Sequence, residues 1–299
     1  MIVRAGGAGG QVGRVAFGRF AAAVVLVVAI FTGAVFSRRV GAIQLISVAD
    51  EIAIGKQAQA EVRKETPGLK DAAVQAYISR IGRRLAAQAR GARYPYSFSI
   101  ANYREINAFA LPGGPVWVNR GAIEAAKNES QLAGVLAHEI AHISQRHSAR
   151  QLSNAMVANL GLSLLGALLG NSGGAGAANI AARYVASGAF LEFSRDDERE
   201  ADRVGAAIMA RAGWDAHGMI ELMQTIREQQ RRDPSSVEVF FSNHPSPGDR
   251  IGGLDRVVAK RRTGTRDSAA FQTARGRLKK IPAARSQVAS RKSQVEGRR

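Results

Sequence analysis

The stretch His138-Glu139-Ile140-Ala141-His142 decides how this 299-residue chain is read. It lies within an apolar stripe (Leu132, Val135, Leu136, Ile140, Ile143) that recurs at helical spacing. Asn128 stands where an N-cap belongs, with Gln131 three residues on. On a helix, residues four apart share a face, about 40° apart around the axis and one turn along it. Two imidazoles so placed reach one metal ion, and Glu139, next to the first of them, faces a water molecule on that ion. The competing reading is a helix with two incidental histidines. The apolar flanks and the capped start weigh against it.

A catalytic zinc takes three protein ligands and leaves one position for water. The chain has no cysteine, so the third donor must be His, Glu or Asp. Disulfides and cysteine nucleophiles are excluded as well. The candidates lie in Ser194-Arg-Asp-Asp-Glu198-Arg-Glu200-Ala201-Asp202, a helix that Ser194 caps and Gly213 ends. Glu198 and Asp202 are four apart and share a face, while Glu200 lies on another. With Glu198 as ligand, Asp202 is free to accept the second N–H of a ligand imidazole, which fixes its tautomer. The alternative is a solvated acidic face with Arg partners; beside the histidine pair, the ligand reading is the stronger. His147, about 140° round the helix from His142, is left out of the ligand set. His217, in the first turn after Asp215, reads as exposed.

Outward from this centre, residues 49–90 read as two helices. Ala53, Ile54, Ala58 and Val62 supply one stripe, and Leu69, Ala73, Tyr77, Ile81 and Leu85 the other, after Pro67-Gly68. Tyr94 to Ile100 alternates as a strand does. Asn107–Leu111 and Val116–Val118 are two more short strands, joined by Pro112-Gly113-Gly114-Pro115, and the prolines predict a ribbon at a sheet edge. An unpaired edge accepts an extended peptide through backbone hydrogen bonds. Asn107, Ala108, Phe109, Ala110 and Leu111 are therefore the expected substrate-binding strand, an ordinary covered edge being the alternative. Residues 151–182 carry no charge and are rich in Gly, Ala and Leu. Asn159, Asn171 and the glycines argue against a membrane span and for a loop or helical hairpin near the site, a membrane-touching element being the alternative. Ser246-Pro247 opens a further helix. Phe271, Leu278 and Ile281 predict a short docked helix within 263–281. The fold class expected is α+β, mainly helical, with a small edge-strand sheet packed on the helix that carries His138 and His142.

The net charge of +18 sits at the ends. Residues 1–40 carry +5, residues 256–299 carry +12, and the stretch between is almost neutral. Nucleic acid is not expected as a partner: beyond Phe241 only Phe271 is aromatic, so the basic end has no stacking platform. Arg4, Arg14 and Arg19 precede the apolar run Phe20 to Phe36, which predicts a signal peptide or N-terminal membrane anchor over 1–40. Thr32-Gly33-Ala34 offers a cleavage site, and a retained anchor is slightly favoured. Uncleaved, residues 20–36 bring the membrane in as a partner. Residues 282–299 read as a disordered basic tail able to touch anionic lipid.

The pattern His138-Glu139-x-x-His142, then Glu198-x-x-Ala201-Asp202, resembles the gluzincin metallopeptidases of the HtpX, BepA and CAAX-prenyl-protease superfamily. Asn107-Ala-Phe-Ala-Leu-Pro-Gly-Gly114 resembles the edge strand before that family's zinc helix, and Gln145-Arg146-His147-Ser148-Ala149-Arg150 the end of the zinc helix. His244-Pro245 with Arg250-Ile251 resembles its downstream His-Pro motif. The likeness is strongest to BepA-like envelope members and runs over roughly 48–281, with a peptidase domain over 48–262. BepA continues into helical repeats, and recognition of partners by such repeats is not part of the resemblance.

The resemblance implies a zincin-type domain with one Zn2+ per chain at His138, His142 and Glu198, and Glu139 as general base. The substrates it implies are protein or peptide chains of the bacterial envelope, misfolded ones included. The catalytic part would be periplasmic, anchored in the inner membrane or released after cleavage. His244 has two roles open to it, donor to the oxyanion or fourth, displaceable zinc ligand, besides that of a plain turn residue before Pro245. Arg250 pairs with Asp202, meets a substrate carbonyl, or lies on the surface. The alternative function is a largely latent envelope chaperone with a lipid-binding tail.

Overall fold

Five of the described helices begin where the sequence supplies a cap. In the computed structural model, which describes residues 45–168, 193–244, 248–259 and 264–284, Ser47 and Asp50 form a capping box at the start of α1 (Val48–Glu65). Asp71 caps α2 (Ala72–Ala86), which buries Val74, Tyr77, Ile78, Ile81 and Leu85. The apolar run 20–36, the second half of the uncharged segment, Ser246-Pro247 and residues 285–299 of the expected tail lie outside the described residues. The first residues of that tail are not disordered: the Pro282 carbonyl accepts from Asn102 Nδ2 at 3.0 Å, and the Ala284 N–H donates to the Asn102 carbonyl at 2.9 Å.

Three strands follow: β1 (Ser97–Ala101), β2 (Ala108–Ala110) and β3 (Pro115–Asn119). Their order is β1-β3-β2, with β3 parallel to β1 and antiparallel to β2. This corrects the expectation that the proline-flanked ribbon lies wholly at an edge. Only β2 does; β3 is the central strand. Pro115 is its first residue, where a missing N–H breaks no ladder bond, and its carbonyl still accepts from the Leu111 N–H at 2.8 Å. The turn before it needs glycine: Gly113 and Gly114 have φ of 73° and 133°.

After a short α3 (Arg120–Ala125) comes the central helix α4 (Glu129–Ser144), capped by Asn128. All its 16 residues are buried, as a helix enclosed on every side requires. The β2–β3 pair and the helices α6 (Arg195–Arg211) and α7 (His217–Arg232) pack along it. The chain also forms α5 (His147–Leu168), α8 (Glu238–Asn243) and α9 (Gly248–Val258). Of the loop and the helical hairpin expected for the uncharged segment, the described part, as far as Leu168, has the helix. No helix among the described residues is long and apolar enough to cross a membrane.

The chain from Gly264 to Ala284 is a strap across this core. Its helix α10 (Ala269–Leu278) buries Phe271, Ala274 and Leu278. Arg120 donates to the carbonyls of Ile281 and Leu278 at 2.7 and 2.8 Å. Buried Glu129, the first residue of α4, accepts from Tyr77 Oη, Trp214 Nε1 and the Ser268 hydroxyl. The strap therefore braces the start of the helix that carries His138 and His142.

Arg266 adds an electrostatic tie to Asp215 and Glu221. Burial acts to raise both carboxyls. Hydrogen bonds from His217 and Arg266 outweigh it at Asp215, and those from Arg266, Gln131 and Asn128 do so at Glu221, so both titrate below their ordinary values. A carboxyl depressed in the folded state stabilises above its unfolded pKa, and the gain is lost as pH falls through the folded value. Amide protection in the strap is accordingly expected to fall once pH drops below about 4, and Arg266→Ala to flatten that dependence. Hydrogen exchange read by mass spectrometry checks both.

Candidate metal centre

Two helices supply the inward-facing groups. His138 and His142 lie one turn apart on α4. Glu198 lies in the first turn of α6, whose start is closed by a capping box of Ser194 and Asp197. Helices this close need small residues between them. A Cβ on Gly205 would stand 3.2 Å from the Ala137 backbone and 2.9 Å from Met219 Cε. Gly205→Val is expected to push α6 off α4 and to cost about 1–3 kcal/mol, measured by urea unfolding.

The side chains converge. His138 Nε2 lies 3.0 Å from His142 Nε2 and 3.5 Å from Glu198 Oε2. His142 Nε2 lies 3.3 Å from Glu198 Oε1. Donors around a tetrahedral zinc with bonds of about 2.1 Å stand about 3.4 Å apart, so this set fits the ion. His244, at the end of α8, joins it: one donor atom from each of His138, His142, Glu198 and His244 falls within 4.8 Å of the others, and all four residues are buried. His244 Nδ1 is 2.7 Å from Glu198 Oε1, and its Nε2 is 3.6 Å from Glu139 Oε1.

A further layer holds these groups. His138 Nδ1 lies 3.0 Å from Asp202 Oδ1. Arg250 takes Asp202 in a two-pronged grip, Nε at 2.8 Å and Nη2 at 2.7 Å, and sets Nη1 against Glu198 Oε2. Of the three places open to Arg250, the structure has the Asp202 pairing, with the guanidinium buried. Burial acts to raise Glu198, but His244 and His138 hold it well below the carboxylate range. Burial acts to lower His138, yet Glu198 and Asp202 bring it up to about 10. Burial raises Glu139, with His244 and His138 opposing.

The edge strand β2 runs beside Glu139. The Asn107 carbonyl and Leu111 N–H bond to β3, so by the alternation of an antiparallel ladder Ala108 and Ala110 turn their backbone groups away from it. The Ala110 N–H acts to lower the pKa of Glu139. Phe109 stacks on Trp117. The Asn107 carboxamide is buried, with neither end hydrogen-bonded among the described residues.

Sequence reasoning misplaced one stretch. Gln145–Arg150 is not the end of the α4 helix: α4 stops at Ser144, Arg146 is left-handed at φ 60°, and α5 starts at His147. A non-glycine residue in that region costs about 1–2 kcal/mol. Arg146 is held there by Glu51 Oε1 at 2.6 Å and the Ile46 carbonyl at 2.6 Å. The break resets the helical phase. His147 stays out of the ligand cluster, but its Nδ1 comes within 2.7 Å of His142 Nδ1. Phe193 stacks on His142 with ring centres 3.8 Å apart; no periodicity pointed to it. His217 is 43% exposed and bonds Asp215.

The model of peptidase family M48 matches residues 72–258. The putative beta-barrel assembly-enhancing protease of Vibrio cholerae is 35% identical over 212 residues, 69% of this chain and 43% of the relative. The beta-barrel assembly-enhancing protease of Escherichia coli K12 is 32% identical over 213 residues, with the same shares. The mitochondrial metalloendopeptidase OMA1 of Schizosaccharomyces pombe is 32% identical over 179 residues, 60% of this chain and 51% of the relative. The chain thus spans less than half the length of the bacterial relatives it matches. The match takes in α4, α6 and α8, the three helices that bring His138, His142, Glu198 and His244 together, and it covers well over half the sequence: the chain belongs to peptidase family M48.

Proposed function

We propose that this chain is a zinc-dependent endopeptidase that hydrolyses peptide bonds of bacterial cell-envelope proteins, misfolded ones among them. The observation that carries the proposal is the convergence of His138, His142 and Glu198 next to Glu139, with β2 as the edge strand beside it. Zinc at the three donors would polarise the scissile carbonyl and acidify a bound water. Glu139 takes the proton of the attacking water and passes it to the leaving amine. Burial raises its proton affinity, against the pull of His244, His138 and the Ala110 N–H, and so suits both transfers. The outward backbone groups of Ala108 and the outward carbonyl of Ala110 pair with an extended substrate whatever its sequence, and the unpaired Asn107 carboxamide offers a further polar contact. The names of the bacterial relatives support an envelope setting. The catalytic part is assigned to the periplasm, with residues 1–40 as signal or anchor and the basic tail as a lipid contact.

The experiment is metal removal. A chelator is expected to abolish casein cleavage, and one equivalent of zinc per chain to restore it. Cleavage that survives a chelator excess shown to strip the metal would sink the proposal. For His244, the distances to Glu198 and to the histidine pair support the role of fourth donor. His244→Ala is then expected to keep zinc and raise basal cleavage, whereas a fall of about 10²–10³-fold is the mark of an oxyanion donor. An assay of aggregation suppression beside turnover tests the chaperone alternative, which the intact Glu139 disfavours.

A further inference from the structure

His142 turns its two ring nitrogens to different partners. Nε2 faces His138 and Glu198. Nδ1 lies 2.7 Å from Nδ1 of His147, a separation at which one nitrogen donates and the other accepts. A nitrogen that ligates a metal carries no proton, so the proton of His142 belongs on Nδ1. His147 Nδ1 is then the acceptor, and the proton of neutral His147 sits on Nε2. There it faces Glu200 Oε2 at 3.3 Å and Asp197 Oδ1 at 3.8 Å. Arg150 Nη2 holds both carboxylates, at 2.7 Å from Asp197 and 3.2 Å from Glu200. His147 is fully buried, and Phe193 closes the pair, face-on to His142 and edge-on to His147.

We infer that His147 is a positioning residue of the metal centre. Its Nδ1 accepts the His142 Nδ1–H and so fixes the tautomer and ring plane that present Nε2 to zinc. Glu200, Asp197 and Arg150 fix His147 in turn. The two histidine ligands are therefore supported differently, His138 by the Asp202 carboxylate and His142 by a neutral imidazole. The backbone is shaped for this contact. On an unbroken helix His147 would point about 140° away from His142, and the left-handed Arg146, tied to Glu51, removes that offset. The inference rests on the zinc reading of His138, His142 and Glu198.

The test uses the full chain and measures zinc affinity by competition with a chromophoric chelator. His147→Leu removes the acceptor and is expected to loosen zinc by about 10–100-fold. His147→Asn returns an acceptor oxygen near the place of Nδ1 and is expected to recover most of that loss. Zinc held by His147→Leu as tightly as by the wild type overturns the inference while leaving the metal centre standing. Equal losses in the Leu and Asn variants overturn it too, because packing alone would produce them. A wild-type chain that takes up no zinc overturns both the metal centre and the inference. Should His147→Leu fail to fold, proton–nitrogen correlation spectra of the histidine rings in the zinc-loaded wild type decide the matter. Protons on Nδ1 of His142 and Nε2 of His147 are expected, and a proton on Nδ1 of His147 overturns the inference.

Discussion

Glu139→Gln is expected to keep one zinc per chain and to lower kcat/KM for peptide cleavage by about 10²–10⁴-fold, the usual contribution of a general base. The two halves of this result have separate causes. Metal binding is assigned to His138, His142 and Glu198, whose donor atoms lie 3.0 to 3.5 Å apart without any help from Glu139. The Glu139 carboxylate lies 3.6 Å from His244 and feels the Ala110 N–H, which acts to lower its pKa. Glutamine keeps the volume and one carbonyl oxygen to accept that N–H, so the fold should hold. It loses the ability to take up a proton. Zinc content by elemental analysis, with turnover of an unfolded protein substrate, gives both readouts. A variant that still cleaves removes Glu139 from the mechanism, and one that loses zinc makes it part of the metal site.

Spacing alone puts His138 with His142 on one helix face and Glu198 with Asp202 on another, because an i, i+4 relation is local. That the two faces meet is not local. It depends on Gly205 letting α6 lie against Ala137 and on Arg250 reaching Asp202 across 48 positions. The helix break before His147 is invisible in the sequence, since Arg146 is not a residue type that announces a left-handed turn. What stabilises it is Glu51, 95 residues earlier. Phe193, placed against His142 from 51 positions away, carried no periodic signal either. The proline rule misled at Pro115 because it speaks of strand interiors, and Pro115 is a first residue. Charge was legible in one respect: the excess lies outside the helices that form the centre.

The other large effect is on stability. Arg250→Leu is expected to destabilise the metal-free protein by about 3–5 kcal/mol, the usual result of removing one partner from a buried ionic cluster. Arg250 is the guanidinium that both Asp202 and Glu198 contact, and all three groups are buried. Asp202 and Glu198 titrate below the ordinary carboxylate range. Burial opposes this in both, Arg250 and His138 outweighing it at Asp202, and His244 and His138 at Glu198. Without Arg250 two carboxylates share a dry pocket with only imidazoles to balance them. Leucine fills much of the space, so the penalty is one of charge more than of volume. Zinc restores positive charge beside Glu198 but not beside Asp202, so it should recover only part of the loss. The gap between the urea midpoints of the zinc-loaded and chelated protein should be wider in Arg250→Leu than in the wild type. Arg250→Lys keeps the charge but not the fork that grips Asp202 in two places, and should fall between the two. Equal midpoints for wild type and Arg250→Leu in chelator would mean that the ionic cluster does not support the helix pairing of α6 and α9, and that Asp202 needs no cation to hold His138.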